Sequence, residues 1–178
     1  AKNLDSLLFM PYYYINECAG HLLTARKYIG FEDQAKELEF SNNAFISNYF
    51  NLKNRDVKVP PTISEYLETF SSAIKFQRDD IKVWVRSIMT DIQSLLTSNG
   101  IDFIDVPRYE EEETKDIELF FTETLDELHI TKKFHLFKND IYTLKSTNDR
   151  IVKNGEVWVI LSNDKSLISF SKTNHFKG

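Results

Sequence analysis

Apolar residues recur every three or four positions through the first fifty residues, which is the spacing of one helix face. The first stripe follows Pro11 and ends before Gly30, a residue that closes a helix in the left-handed conformation without strain. A second stripe covers residues 31–50, and the polar stretch at residues 41–43 could divide it. The short connection favours an antiparallel helix pair. The first stripe comprises Ile15, Cys18, Ala19, Leu22, Ala25 and Ile29.

The strongest periodic signal lies between residues 62 and 98. Five apolar residues stand seven positions apart, and Thr62 with Glu65 has the spacing of a capping box that begins a helix. One continuous helix would be about 55 Å long at ~1.5 Å per residue. A break at residues 77–80 is the alternative, with Asp79 or Asp80 as the cap of a new helix. The seven-residue series is Leu67, Ile74, Ile81, Ile88 and Leu95.

Residues 101–130 combine a short alternating segment with an acidic run. Residues 101–106 alternate between apolar and polar positions, which predicts a short strand or an extended linker before Pro107. A fourth helix is predicted over residues 114–129. Carboxylates stabilise a helix when they lie near its N-terminal end. The four that precede this one are Glu110, Glu111, Glu112 and Glu113.

From residue 133 onward, β-branched and aromatic residues predict strands at 134–137, 141–144, 157–161 and 167–170. Asn154-Gly155 is typical of a two-residue type I′ hairpin. The predicted fold class is therefore α+β, with an N-terminal helical bundle followed by a small C-terminal antiparallel β-sheet. The predicted organisation is a helical domain at 1–100, an acidic linker and fourth helix at 101–130, and a basic β subdomain at 131–178.

Composition and charge support a folded chain with separated charges. The 178 residues include 14 Phe, 8 Tyr and 2 Trp, and the net charge is −5, which is unlike a disordered protein. Residues 105–130 hold ten acidic and two basic side chains, whereas residues 131–178 hold four acidic and nine basic ones. This asymmetry predicts mutual packing of the two regions, two solvated faces, or contact of the basic region with an anionic partner.

Several classes of function lack their usual residues. Cys18 is the single cysteine, so neither an internal disulfide nor a cysteine-based metal site can form within the chain. The sequence lacks glycine-rich phosphate motifs and any apolar run of about 18 residues. No secretory signal is visible. We therefore expect an intracellular protein, cytoplasmic or nuclear, without a cofactor, a bound metal or a membrane association.

Residues with catalytic potential are scattered. Cys18 and His21 share a helix face, which would suit a thiolate activated by imidazole, but a buried structural cysteine is the better explanation of Cys18. His135, Asp140 and Glu156 are the residues on which a metal-dependent hydrolase or nuclease would depend. Their spacing matches no known active-site motif, so the enzyme hypothesis ranks below binding functions.

The leading hypothesis is a non-catalytic protein-interaction module: a subunit of a complex, an adaptor, or an inhibitor or immunity-type partner. Another protein is the expected partner, and the oligomeric state stays open. The alternative is a nucleic-acid-associated protein that binds through the basic C-terminal sheet, where lysines are interleaved with aromatic residues. The predicted partner-binding residues are Glu110, Glu111, Glu112, Glu113, Lys133, Lys138, Lys145 and Trp158.

Overall fold

The structure is a computed structural model that describes residues 7–31, 34, 43–75, 79–155, 157, 160 and 164–171. These residues include seven α-helices and two short β-strands. The chain divides into two compact units, Ala1–Ile104 and Asp105–Gly178. We refer to them as unit 1 and unit 2.

Unit 1 is a helical unit with one small sheet. Its two strands pair in parallel, with Leu8 opposite Ile101 and Pro11 opposite Ile104, so the helices form the crossover between them. Residues 101–104 are thus a strand, one of the two options that the alternating pattern left open. In chain order the elements are β1 (Leu8–Pro11), α1 (Tyr13–Ala25), a 3-10 turn (Arg26–Tyr28), α2 (Ala44–Asn54), α3 (Ile63–Glu68), a 3-10 turn (Ser72–Lys75), α4 (Ile81–Ser98) and β2 (Ile101–Ile104).

The core of unit 1 forms where α1 packs against α4, with α2 and α3 alongside. The α1 stripe predicted from the sequence supplies Ile15, Ala19, Leu22 and Ala25, all fully buried. Trp84 of α4 is buried as well, and its indole N–H donates to the carbonyl of Ala73 at 2.8 Å. The other fully buried apolar side chains of unit 1 are Ile46, Tyr49, Ile63, Leu67, Ile74 and Ile88.

Local side-chain caps place the helix starts in unit 1. The capping box of Thr62 and Glu65 is confirmed, and Asp80 caps α4 by accepting from the backbone N–H groups of Lys82 and Val83. The periodic segment is therefore divided before residue 81. Ile81, at the start of α4, is 63% exposed, although other members of the same series are buried. The residues of the seven-residue series consequently contribute mainly to the core of unit 1.

The regular secondary structure in the described part of unit 2 is all helical. It contains α5 (Glu111–Glu127), α6 (Phe134–Asn154) and α7 (Lys165–Ser171), and α5 packs against both of the others. At the centre, the rings of Phe121 and Phe170 meet edge to face with centroids 5.4 Å apart. The buried apolar residues are Phe121, Leu125, Ile141, Leu144, Leu167 and Phe170.

The predicted C-terminal antiparallel sheet is wrong. Residues 134–154 form one helix, in which Phe137, Ile141 and Leu144 share a face at four- and three-residue steps. Burial of that face against α5 outweighs the β propensity of its branched and aromatic residues. Within the described residues, the sheet of β1 and β2 is the only one, and it is parallel.

The predicted hairpin turn is the end of a helix. Gly155 has a φ of 67°, and its N–H donates to the carbonyl of Ile151 at 3.1 Å. Asn-Gly favours left-handed backbone in both settings, so the dipeptide alone cannot separate them. The predicted strand at 167–170 lies in α7. Most of the one at 157–161 lies outside the described residues.

Candidate functional site

The acidic run at residues 110–113 begins α5. The side chain of Glu113 accepts the backbone N–H of Glu110 at 3.0 Å, and the next three glutamates occupy the first helical turn. There they meet the positive end of the helix dipole. All four are exposed. The run therefore has a structural role as a helix start, and its side chains remain accessible.

The outer side of α5 carries an acidic surface that continues well beyond this run. Successive helical residues are rotated by about 100°, so positions 112, 116, 119, 123, 126 and 127 fall on one stripe. That stripe lies opposite the buried Phe121 and Leu125. All its members are exposed, and none of its carboxylates forms an ion pair within the described part of the chain. We call it the acidic face; it comprises Glu112, Asp116, Leu119, Glu123, Asp126 and Glu127.

Leu119 is the apolar member of the acidic face. Its side chain is 56% exposed, with carboxylates on either side along the helix. Sequence reasoning counted the acids at residues 110–113 and missed this leucine. Plotting residues 111–127 at 100° intervals would have found it, because the signal is helical periodicity rather than a local run.

The predicted partner-binding lysines have different environments. Lys133 is exposed just before α6. Lys138 pairs with Glu118 across the α5–α6 interface, and Lys145 pairs with Asp149 one turn away. Lys145 also lies over the ring of Tyr109 at 5.5 Å. The structure brings no common lysine surface together from these three, and Trp158 lies outside the described residues.

A cluster of charges inside unit 2 was not foreseen. The ammonium of Lys132 bonds to the carboxylates of Asp140 and Asp164, the latter at 2.8 Å. Burial by itself would lower the pKa of Lys132, but the hydrogen bonds and charges of the two aspartates outweigh burial and raise it. Asp164 also accepts the N–H of Ser166 at the start of α7. The cluster therefore ties the segment before α6, α6 itself and the start of α7 together.

The candidate catalytic residues that the structure describes have different environments. His135 is exposed, Asp140 is buried in the ion pair with Lys132, and Glu156 lies outside the described residues. In the ranges that the structure describes, no group of three or more His, Cys, Asp or Glu side chains could hold a metal ion.

Cys18 is partly buried against the core of unit 1. Burial, and next the charge of Glu17, raises the pKa of its thiol despite an opposing backbone hydrogen bond. A raised pKa leaves less thiolate at neutral pH, which is the reverse of what a nucleophilic cysteine requires.

The described helices are all too short or too polar to cross a membrane. Comparison of the chain with protein-family models, with curated proteins and with solved structures finds no match.

Proposed function

We propose that this chain is a non-catalytic protein-interaction module, a complex subunit or an adaptor, that binds a basic partner protein through the acidic face of α5. The observation that carries the proposal is the arrangement of five carboxylates, none of them ion-paired within the described residues, around the exposed Leu119, on the side of α5 turned away from the core. Interfaces of this kind combine an apolar anchor with surrounding charges that select and orient the partner.

Folding alone does not account for these charges. Glu112 and Asp116 are four residues apart, as are Glu123 and Glu127, and like charges at that spacing destabilise a helix by ~0.2–0.5 kcal/mol per pair. Asp126 and Glu127 also occupy the last turn, where the negative end of the helix dipole disfavours carboxylates and no basic residue compensates. A basic partner would relieve each of these repulsions.

Leu119 gives the acidic face a point of close contact. The side chain is held on a rigid helix whose inner side is fixed by Phe121 and Leu125, so a partner would meet it with little loss of conformational freedom. Burial of a leucine contributes ~1.5–3 kcal/mol relative to exposure. The carboxylates would then determine which partner binds and would increase the rate of association.

The nucleic-acid alternative has less support. Three of the four strands predicted for its basic sheet lie in helices, and two of its three lysines, Lys138 and Lys145, pair with acids of their own unit. A phosphate backbone would be repelled by the acidic face. The metal-dependent hydrolase alternative has less support as well, because the described residues contain no group of three or more His, Cys, Asp or Glu side chains that could hold a metal ion.

The test compares capture of cellular proteins by the wild type with capture by Glu112→Gln/Asp116→Asn/Glu123→Gln, and separately by Leu119→Ser. A matched control, Asp79→Asn/Asp102→Asn/Asp105→Asn, removes three exposed carboxylates elsewhere.

We expect one basic protein that the wild type and the control retain, whereas each acidic-face variant loses it. Purified partner should bind more weakly as salt rises. Equal retention by all variants, or capture of nucleic acid alone, would refute the proposal.

A further inference from the structure

A shallow cleft in unit 1 has chemistry opposite to that of the acidic face. It lies between the C-terminal end of α1, the 3-10 turn that follows and the start of α4, and its volume is about 290 Å³. Its lining combines apolar side chains with two cations, namely Leu23, Thr24, Arg26, Lys27, Ile81 and Trp84. Nothing in the sequence pattern predicted it, because the residues come from segments more than fifty positions apart.

Arg26 is positioned to recognise a carboxylate. Its guanidinium carbon lies 5.3 Å from the ring centroid of Trp84, and the hydrogen bond from the indole to Ala73 fixes that ring. A guanidinium stacked on an aromatic ring uses its face for the ring and keeps its in-plane N–H donors for an acceptor. The bidentate geometry of those donors matches a carboxylate.

The cleft also has a second cation and an accessible apolar rim. Lys27 is exposed and forms no ion pair within the described residues. Asp80, the acid adjacent to Ile81, is already engaged as the cap of α4. Ile81 is 63% exposed, so its apolar side chain is accessible to a ligand. Positive charge and apolar surface therefore lie side by side.

The shape of the cleft selects the kind of ligand. Small-molecule sites usually enclose most of their ligand, which a cleft this open does not do. A peptide segment can bind with only one side chain inside the cleft, while its neighbouring residues pair with groups at the rim of the cleft. We propose that the cleft binds an acidic segment of a partner protein, with an apolar side chain against Ile81 and Trp84 and carboxylates on Arg26 and Lys27. This proposal does not depend on the function of the acidic face.

The probe is a fluorescein-labelled peptide, Gly-Asp-Glu-Leu-Asp-Glu-Gly, titrated with the intact protein and followed by fluorescence anisotropy. Arg26→Gln/Lys27→Gln should weaken binding about tenfold or more, and Ile81→Ser about fivefold, since tenfold corresponds to ~1.4 kcal/mol. The matched control Lys82→Gln/Arg86→Gln removes two exposed cations of α4 that do not line the cleft. It should change affinity less than about twofold.

Each result of these binding measurements either supports or refutes the cleft as a peptide-binding site. A peptide with serine in place of leucine should bind several-fold more weakly, and equal binding would mean general attraction to a polyanion and refute the site. Absence of saturable binding up to about 1 mM, or equal weakening by the control variant, would also refute it. Light scattering examines the source of the segment: self-association of the wild type that Arg26→Gln/Lys27→Gln abolishes would overturn the assignment to another protein. Circular dichroism checks that every variant is folded.

Discussion

Lys132 and Asp140 form an ion pair in which the two side chains are only 10% and 6% exposed. Asp164 bonds to the same ammonium, and the ring of Phe121 lies 5.4 Å from it. Removal of one partner from a buried pair leaves an uncompensated charge, which costs far more than loss of a surface pair. The cluster is therefore the most sensitive polar element of unit 2.

Lys132→Met should destabilise the protein by about 3 kcal/mol, because it leaves Asp140 buried without its cation. The measurement is the free energy of unfolding from urea titration followed by circular dichroism. Lys133→Met is the control, since it removes the same charge from an exposed neighbour and should cost less than about 0.5 kcal/mol. The double variant Lys132→Met/Asp140→Asn should lose less free energy of unfolding than the two single variants lose together. Equal losses for the Lys132 and Lys133 variants would contradict the burial of the pair.

Glu118 should make stability depend on pH in the acid range. Burial alone would raise the pKa of Glu118, but hydrogen bonds from Lys138 and Thr114 and the charge of Lys138 outweigh it and lower the pKa. The unfolded chain then binds a proton before the folded one does, so this stabilisation is complete above the ordinary glutamate pKa. It is lost as the pH falls through the lowered value.

The urea midpoint of wild type should therefore fall more steeply below about pH 4.5 than that of Glu118→Gln. Glu123→Gln, which removes an exposed carboxylate from the same helix, should follow the wild-type curve. Parallel curves for wild type and Glu118→Gln between pH 7 and pH 3 would show that Lys138 does not hold this carboxylate.

Cys18 should react slowly with alkylating reagents. Since burial, and then Glu17, raises the pKa of the thiol, less of it is thiolate at pH 8 than in an exposed cysteine. We expect iodoacetamide to modify native Cys18 about tenfold more slowly than it modifies glutathione. In urea the two rates should converge. Faster modification in the native protein would restore the hypothesis of a thiolate activated by His21.

Two glycines should respond in opposite directions to alanine. Gly20 lies within α1, where an added Cβ would meet nothing within 4 Å, so Gly20→Ala should stabilise the protein by ~0.5–1 kcal/mol. Gly155 has a φ of 67°, so Gly155→Ala should destabilise by about 1 kcal/mol. Thermal unfolding of both variants under one set of conditions provides the comparison. Stabilisation by Gly155→Ala would be inconsistent with a left-handed helix end at Gly155, and destabilisation by Gly20→Ala would contradict the open space around Gly20.

The helix starts in unit 1 could be predicted because their signals are local. The Thr62–Glu65 box and the Asp80 cap depend on residues at most three positions apart, and the stripe from Ile15 to Ala25 repeats at helical spacing. The end of α6 could not be predicted in the same way. Asn154-Gly155 is compatible with a hairpin and with a helix end, and the choice depends on what precedes it.

Local sequence also left the secondary structure of residues 134–144 undecided. Phe137, Ile141 and Leu144 fit a helical stripe, but short aromatic and branched runs around them also fit strands. Packing of that stripe on Phe121 and Leu125 of α5 decides in favour of the helix. The carboxylates at 110–113 were visible as a run, and plotting residues 111–127 at helical spacing would have shown the acidic face as well.

The sequence by itself determined where α1 and α3 begin, which residues of α1 fill the core, and that an acidic helix precedes a lysine-rich region, and it left open whether residues 62–98 form one helix or two. Only the tertiary structure decided that this region is helical, that Lys132 joins Asp140 and Asp164 across eight and thirty-two positions, and that Arg26 lies over Trp84. The physical reason is range: caps and periodicity act within a few residues, whereas burial and ion pairing depend on which distant segments pack together.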